Sequence, residues 1–328
     1  MLPAWLWLKI RKKWKPAYIK SQAILRKKIA DPEKRTKLNR WYNKLSGENK
    51  SLFFRLYAGL FKDNPGKISE GEWMVDFAGK TIRLPLRNND LWLDWNLAIA
   101  IAGHNNEVKA TYENLILTGM TKVVFDIGAN YGTHSLLFLS HDIKTISFEP
   151  IPSLKKAFDY LCAVNQFTGK MESVAVGEKK GTATLWIPLN ETWEATIVES
   201  ELNNLKDKHP LEKLEVSVIS VDEYVAQSGL QPDFIKIDTE GNEINVLKGA
   251  LTTIHSFRPH ILFETNNFNE RKIIWDFFKN IQYTILELPY TPGKRFKFFS
   301  LERFLKKGST NYIAVPDSKL YSTKKLLG

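Results

Sequence analysis

The stretch Val123–Leu139, VVFDIGANYGTHSLLFL, decides the fold. Apolar residues lead into Asp126, then Gly128, Asn130 and Gly132 follow, and a second apolar run begins at Leu136. A buried strand that turns into a helix through so little side chain is the pattern of a sheet edge with a ligand against its backbone. Gly128 permits the tight turn, and Gly132 lets the next helix come close. The loop amides are expected to receive a carboxylate or phosphate.

Outward from this stretch, short apolar runs alternate with helical ones. The strand-length runs are VVFDI, TISFE at 145–149, SVAV at 173–176, DFIKID at 233–238 and HILFE at 260–264. One helical stretch, LKKAFDYLCAVNQF, sets Leu154, Phe158, Leu161 and Phe167 roughly on one face; another begins near Gly241 with Ile244, Leu247 and Leu251. This alternation predicts an α/β fold, a mostly parallel Rossmann-like sheet with helices on both faces. Right-handed crossovers then gather the ligand-binding loops on one edge. Gly181–Ile187 is expected to pair at the margin of that sheet. The polar stretch Asn190–Pro210 reads as a substrate loop or a surface excursion. Ser220 and Glu223 have capping-box spacing and start a short helix at 221–226.

Before Lys122 the pattern differs. Residues 20–60 read as helical and end in SLFFRLYAGLF, Glu72–Leu84 reads as a hairpin, and Glu107–Leu117 as a further helix. The expected division is a helical and hairpin extension over 1–119 and a ligand-binding domain over 120–328.

The chain has 328 residues, 43% of them apolar, with ten Trp, which excludes disorder throughout. Its net charge of +11 is uneven. Residues 1–50 hold 15 Lys/Arg against 3 Asp/Glu and residues 294–328 hold 9 against 2, whereas 51–293 hold 23 against 31. Basic ends suit an anionic partner such as membrane lipid or an acidic glycan, but the acidic middle does not suit a nucleic-acid channel. The single cysteine, Cys162, excludes an internal disulfide, fits a reducing compartment and reads as a buried, inert thiol. No run approaches the roughly 20 apolar residues that cross a bilayer. Residues 1–20 set Trp5, Trp7 and Trp14 beside Lys9, Arg11, Lys12 and Lys13 before Pro16, which is expected to end or kink a helix. Two readings stand: a helix lying on an anionic membrane at its cytoplasmic face, or one packed on its own protein. A cytoplasmic location is expected.

The loop narrows the cofactor. Asn130 replaces the middle glycine of the dinucleotide fingerprint, where a diphosphate needs close backbone approach. S-adenosyl-L-methionine has no diphosphate. Asp126 favours its positive sulfonium or amino group and would repel a diphosphate. Glu149 ends the next strand, where an acid can accept from both ribose hydroxyls. Tyr131 is a candidate contact to the methionine part, and Ser173 joins the cofactor set.

Here the chain resembles the FkbM-type methyltransferases, a branch of the S-adenosylmethionine-dependent class I fold. The resemblance lies in FDIGANYGTHSLL at 125–137, ISFEPIPS at 146–153, Asn165, VAVGEKKG at 174–181 and SVDEYV at 220–225. It continues in IKIDTEGNEINVLKGA at 235–250, RPHILFE at 258–264 and the strand-like NYIAVP at 311–316. The resemblance implies S-adenosylmethionine as cofactor and methylation of oxygen on a small molecule or glycan.

An unactivated hydroxyl must lose a proton on methylation. Asp238 and Glu240 are candidate acceptors. Phe234, Lys236 and Asp238 share one strand face, so Asp238 sits at the ligand edge with Lys236 one layer deeper. A strand lysine needs partners, for which Asp126 and Glu264 are candidates. Glu243 is expected to cap the helix that follows. His134, in the first turn after Gly132, is a further candidate base, kept neutral by the helix dipole. His104 and Asn105 read as a turn or as an approach to the acceptor. No HExxH or cysteine pair marks a dedicated metal site. The competing functions are a nicotinamide oxidoreductase or sugar epimerase, disfavoured by Asn130, and a non-enzymatic binding module on the same fold.

Overall fold

The computed structural model of the chain describes residues 4–61, 71–86, 94–189, 192–199, 202, 210–266, 268–294, 296, 300–306 and 308–321. The side chains of residues 1–15 lie outside the described residues, and with them the Trp and Lys/Arg cluster expected to meet a membrane. No described helix is long and apolar enough to cross a membrane. The chain divides into two units, one of residues 1–76 and 81–106, the other of 77–80 and 107–328. The helix starting at Asn106, which the sequence reading left with the extension, thus falls almost wholly in the second unit.

In the first unit, α1 spans Ala4–Ala30, α2 Pro32–Asn43, α3 Gly47–Tyr57 and α4 Trp95–Gly103. Pro16 lies inside α1 and does not end it, contrary to one expectation. A proline removes one amide donor, and the remaining turns can carry the helix through. Side-chain caps start the next three helices: Asp31 accepts from the Lys34 amide, Ser46 from Asn49 and Asp94 from Leu97. The expected hairpin is β1 (Gly71–Phe77) and β2 (Lys80–Leu86), turned by Ala78 and Gly79, both at positive φ. Its backbone is tied down by α2. Asn39 both donates to and accepts from Met74, and Asn43 donates to the Met74 carbonyl and accepts from the Asp76 amide. Tyr42, Phe53, Trp73 and Trp95 form the core, with Trp73 and Trp95 rings 5.0 Å apart.

The second unit holds a seven-stranded sheet in the order β11-β12-β10-β9-β3-β4-β5. Its strands are β3 (Val123–Ile127), β4 (Lys144–Phe148), β5 (Lys170–Glu172), β9 (Phe234–Ile237), β10 (His260–Glu264), β11 (Tyr283–Glu287) and β12 (Asn311–Pro316). β5, β4, β3, β9 and β10 run parallel, while β12 is antiparallel to β10 and to β11. Chain order reverses between β3 and β9, so the crevice beyond their carboxyl ends is the topological switch point.

Gly181–Pro188 (β7) does not join this sheet, contrary to expectation. It pairs along its length with β8 (Leu211–Ile219), and β6 (Ala175–Val176) completes a separate three-stranded sheet. β8 was not foreseen, and without that partner the main sheet was the only place for β7.

The faces of the main sheet differ. On one, Phe125, Ile127, Ile235, Ile237, Ile261 and Phe263 pack on Val221–Ser228 (α8), Glu243–Lys248 (α9), Leu251–Phe257 (α10) and Phe268–Asn280 (α11). On the other, Phe234 meets Tyr112 of α5 (Asn106–Leu117) and Phe138 of α6 (Thr133–Leu139), with centroids 5.7 and 5.5 Å apart. Cys162, on α7 (Pro152–Asn165), is buried, and burial pushes its thiol up to about 12.

Candidate functional site

The switch-point loop is built by packing. Gly128 has a φ of 73°, and a Cβ there would stand 1.7 Å from the Asp238 carbonyl oxygen. Gly132, at φ 71°, would collide with the Phe158 ring of α7 at 2.2 Å. The missing side chains make room for β9 and α7. The loop amides are also taken internally. Gly128 and Ala129 donate to the Phe148 carbonyl, Asn130 to Glu149 Oε2, Tyr131 to its neighbour Asn130 Oδ1, and Gly132 to the Ala129 carbonyl. None of these five amides remains for an incoming anion, which corrects the expected anion cradle. A diphosphate is served worse by this loop than a ligand of hydroxyls and positive charge.

Strand register assembles the charges beneath the loop. Asp126 stands opposite Ser147 on one side and Lys236 on the other. Lys236 Nζ lies 3.3 Å from Asp126 Oδ1 and 3.3 Å from Asp238 Oδ2, and donates to the Gly128 carbonyl at 3.3 Å. Ser135 donates to Asp126 Oδ2 at 2.6 Å and contacts the Ser147 hydroxyl at 2.7 Å. Asp126 is 1% exposed, whereas the Asp238 side chain is 30% exposed. Asp126 is therefore closed off among the groups it holds, while Asp238 is the more open of the two acids. Glu149 is buried and also accepts from the Ile151 amide at 3.0 Å. A carboxylate has about four lone-pair sites, so two amides leave capacity for hydroxyl donors.

Residues 126–292 match the Methyltransferase FkbM domain, just over half of the chain. The chain belongs to this family. No curated protein matches it in sequence. Among solved structures, it is similar to the methyltransferase FkbM of Methylobacillus flagellatus KT, at 14% identity and a TM-score of 0.37. That match covers 94% of this chain but only 60% of the other. It is also similar to a SAM-dependent methyltransferase of Agrobacterium tumefaciens, at 8% identity, 77% and 72% coverage and a TM-score of 0.40. Scores at this level add no argument to the family match and the sheet order.

In this FkbM-domain chain the expected site residues fall into three groups. Asp126, Gly128, Asn130, Tyr131, Gly132, Glu149, Lys236 and Asp238 come together at the switch point. Tyr131 packs on the Ile151 and Leu154 cluster beneath the small sheet. Glu240, at φ 50°, lies with Asp238 and Glu264; one carboxylate oxygen of each falls within 4.8 Å of the others. Glu264 thus neighbours Asp238 rather than Lys236. It lies two residues beyond Leu262, the register partner of Lys236. Three carboxylates this close must share protons or a cation. Ser173 is exposed in the β5–β6 connection, and His104 and Asn105 form the turn after α4 in the first unit.

Electrostatics separates the acids. Burial works against the Lys236 ammonium, but the charges of Asp238 and Asp126 outweigh it and raise its pKa. Burial raises Glu149 to about 7, with the Ile151 and Asn130 amides opposing. Burial raises Glu243 to about 7 as well, although Thr239 and Gly241 donate to it. Glu243 therefore caps the Thr239–Gly241 turn. Glu240 and Glu264 are raised by burial first and by the Asp238 charge second.

His134 has both ring nitrogens engaged, Nε2 with Lys109 Nζ at 2.6 Å and Nδ1 with the Tyr112 hydroxyl at 2.8 Å. Lys109, Tyr112, Ser135 and Ser147 escaped the sequence reading. The segment Thr192–Thr196 touches the site twice: Asn130 donates to Thr192 Oγ1, and Thr196 donates to the Glu240 carbonyl. Most of the rest of the expected 190–210 loop lies outside the described residues.

Proposed function

We propose that the chain binds S-adenosyl-L-methionine over Asp126–Gly132 and Glu149 and methylates a hydroxyl oxygen on a glycan, a lipid-linked molecule or another small acceptor. The observation that supports this most is the FkbM-domain match over 126–292, which includes the loop and both strand-end acids. The loop chemistry agrees, since its amides are satisfied and its nearby side chains are carboxylates.

When bound, the cofactor supplies an electrophilic methyl group on a positively charged sulfur. Glu149 accepts from its two ribose hydroxyls. Asp126, Lys236 and Asp238 leave one negative charge in excess beside the crevice, which favours a cation there. Lys236 holds Asp238 by one carboxylate oxygen. Asp238 takes the acceptor's hydroxyl proton. Glu240 is the poorer base, because burial and the Asp238 charge hold its own proton on. Thr192–Thr196 restricts water from the side it covers.

Calorimetry with S-adenosylmethionine, S-adenosylhomocysteine and NAD tests the cofactor. The first two should bind and NAD should not; the reverse would restore the oxidoreductase reading. Glu149→Ala should weaken S-adenosylmethionine by about 1–3 kcal/mol, the scale of charge-assisted hydrogen bonds. Unchanged affinity in a folded variant removes the ribose role. Transfer of labelled methyl groups to hydroxyl-bearing but not amine-bearing acceptors tests the choice of oxygen.

A further inference from the structure

Two of the polar residues that α5 buries converge on one histidine. Lys109 and Tyr112, three residues apart, both reach His134 in the first turn of α6. Lys109 Nζ and His134 Nε2 are 2.6 Å apart, which requires one hydrogen and one lone pair between them. An ammonium and an imidazolium cannot share that contact, because an imidazolium has no lone pair. The pair is therefore either neutral or singly positive. In the positive form the Lys109 ammonium donates to Nε2, and Nδ1–H donates to the Tyr112 oxygen. In the neutral form Nε2–H donates to the Lys109 amine, and the Tyr112 hydroxyl donates to Nδ1. One proton reverses both hydrogen bonds.

The roles given to Asp238 and Glu149 leave this pair unused. It is nevertheless electrically in view of the site. The charges acting on Lys109 are Lys236 and Asp238 from the β9 strand and its end, Asp126 from β3, and Glu107 from its own helix. Burial, then the Lys236 charge, brings Lys109 down to about 7 against the pull of the three acids, so both forms are populated near neutral pH.

The geometry points to a one-proton store: the Lys109–His134 pair releases its proton when a sulfonium binds beside Asp126 and Asp238, and takes one up once the methyl group has left. This rests on the cofactor reading above. Transfer to a hydroxyl forms an O–C bond and breaks an S–C bond, with the electron pair remaining on sulfur and the hydroxyl proton left over. Asp238 takes that proton first and gives it up to the crevice; sulfur has lost one positive charge, and the pair then gains one with a proton of its own. The charge of the buried cluster is then the same before and after transfer, and no uncompensated charge is left in a poorly solvated site.

The test counts protons without turnover. The full chain is titrated calorimetrically near neutral pH, in buffers of different ionisation enthalpy, with S-adenosylmethionine and with S-adenosylhomocysteine, which lacks the sulfonium charge. The unaltered protein should release a few tenths of a proton more with the first ligand. Lys109→Met should bind both ligands and lose that difference. Glu149, Glu240 and Glu243 also yield protons to a cation, so an undiminished difference in Lys109→Met assigns the protons to them and overturns the store. A second measurement does not depend on the variant's folding. The ¹⁵N signals of the His134 ring, assigned by their loss in His134→Gln, report the tautomer in the unaltered protein. The ring proton should sit on Nε2 with S-adenosylmethionine and on Nδ1 with S-adenosylhomocysteine, and the same tautomer in both overturns the proposal. If neither ligand binds, the cofactor reading falls and the store with it. If both bind without a proton difference, the store alone falls.

Discussion

β3 and β9 each present two chemistries. Phe125, Ile127, Ile235 and Ile237 face an apolar cluster, where burying each side chain is worth about 1.5–3 kcal/mol. The alternate positions Asp126 and Lys236 face one another, Ser135 and Asp238. A buried ion pair is seldom more stabilising than a well-packed apolar pair of the same volume. The first face is what folding requires. The second gives up stability that an apolar pair could supply, and it does so at the switch point of the sheet. That contrast marks the candidate site better than burial alone.

The largest expected effect comes from leaving charge unpaired. Lys236→Met strands Asp126 next to Ser135 and should cost about 3–5 kcal/mol in chemical denaturation. Ile237→Val, one position along on the apolar face, should cost about 0.5–1.5 kcal/mol. Equal losses for the two variants would erase the distinction between the faces.

Asp238→Asn keeps the shape and removes a charge. Turnover should fall about 100-fold, roughly 2.7 kcal/mol of transition-state stabilisation, with cofactor affinity little changed. Turnover within about twofold of the parent would exclude a charged role on the acceptor side. A collapse of cofactor affinity would instead move Asp238 into the cofactor site.

The smallest effect concerns pH. Glu149, Glu243, Glu240 and Glu264 all have raised pKa values in the folded state. A raised acid contributes stability that is present below its unfolded pKa and is lost as pH rises through the folded value. Lys109, lowered to about 7, contributes stability present above its ordinary value and lost as pH falls through about 7, so it opposes the carboxylates on the alkaline side. Glu264→Gln removes one of the four acids. Its stability relative to the parent should therefore improve with rising pH, by about 1 kcal/mol between about pH 6 and 7 in parallel denaturation series. A constant difference would mean that Glu264 does not hold a proton through that range.

The central strands were legible because short apolar runs beside Gly and Asp have few other readings. Asp126, Lys236 and Asp238 were legible for the opposite reason, since a charge inside such a run needs partners. β5 has three residues, too few for periodicity. β8 reads LEKLEVSVI, whose early charges blur the alternation that buries only Val216 and Val218. Ser147 and Ser135 could be placed only once register set Ser147 beside Asp126. Lys109 resembles any helix lysine until a histidine 25 residues away is found against it.

The two loop glycines carry a lesson about descent. Alanine at 128 would be driven into the carbonyl of Asp238, and alanine at 132 into the ring of Phe158. Both demands come from neighbouring protein and persist whether or not a ligand ever arrives. A descendant that put this sheet edge to another use would meet the same two collisions and would still be held to glycine at both places. Glycine at these two places is thus a signature of how the chain packs, and the charged residues around them owe nothing to that demand.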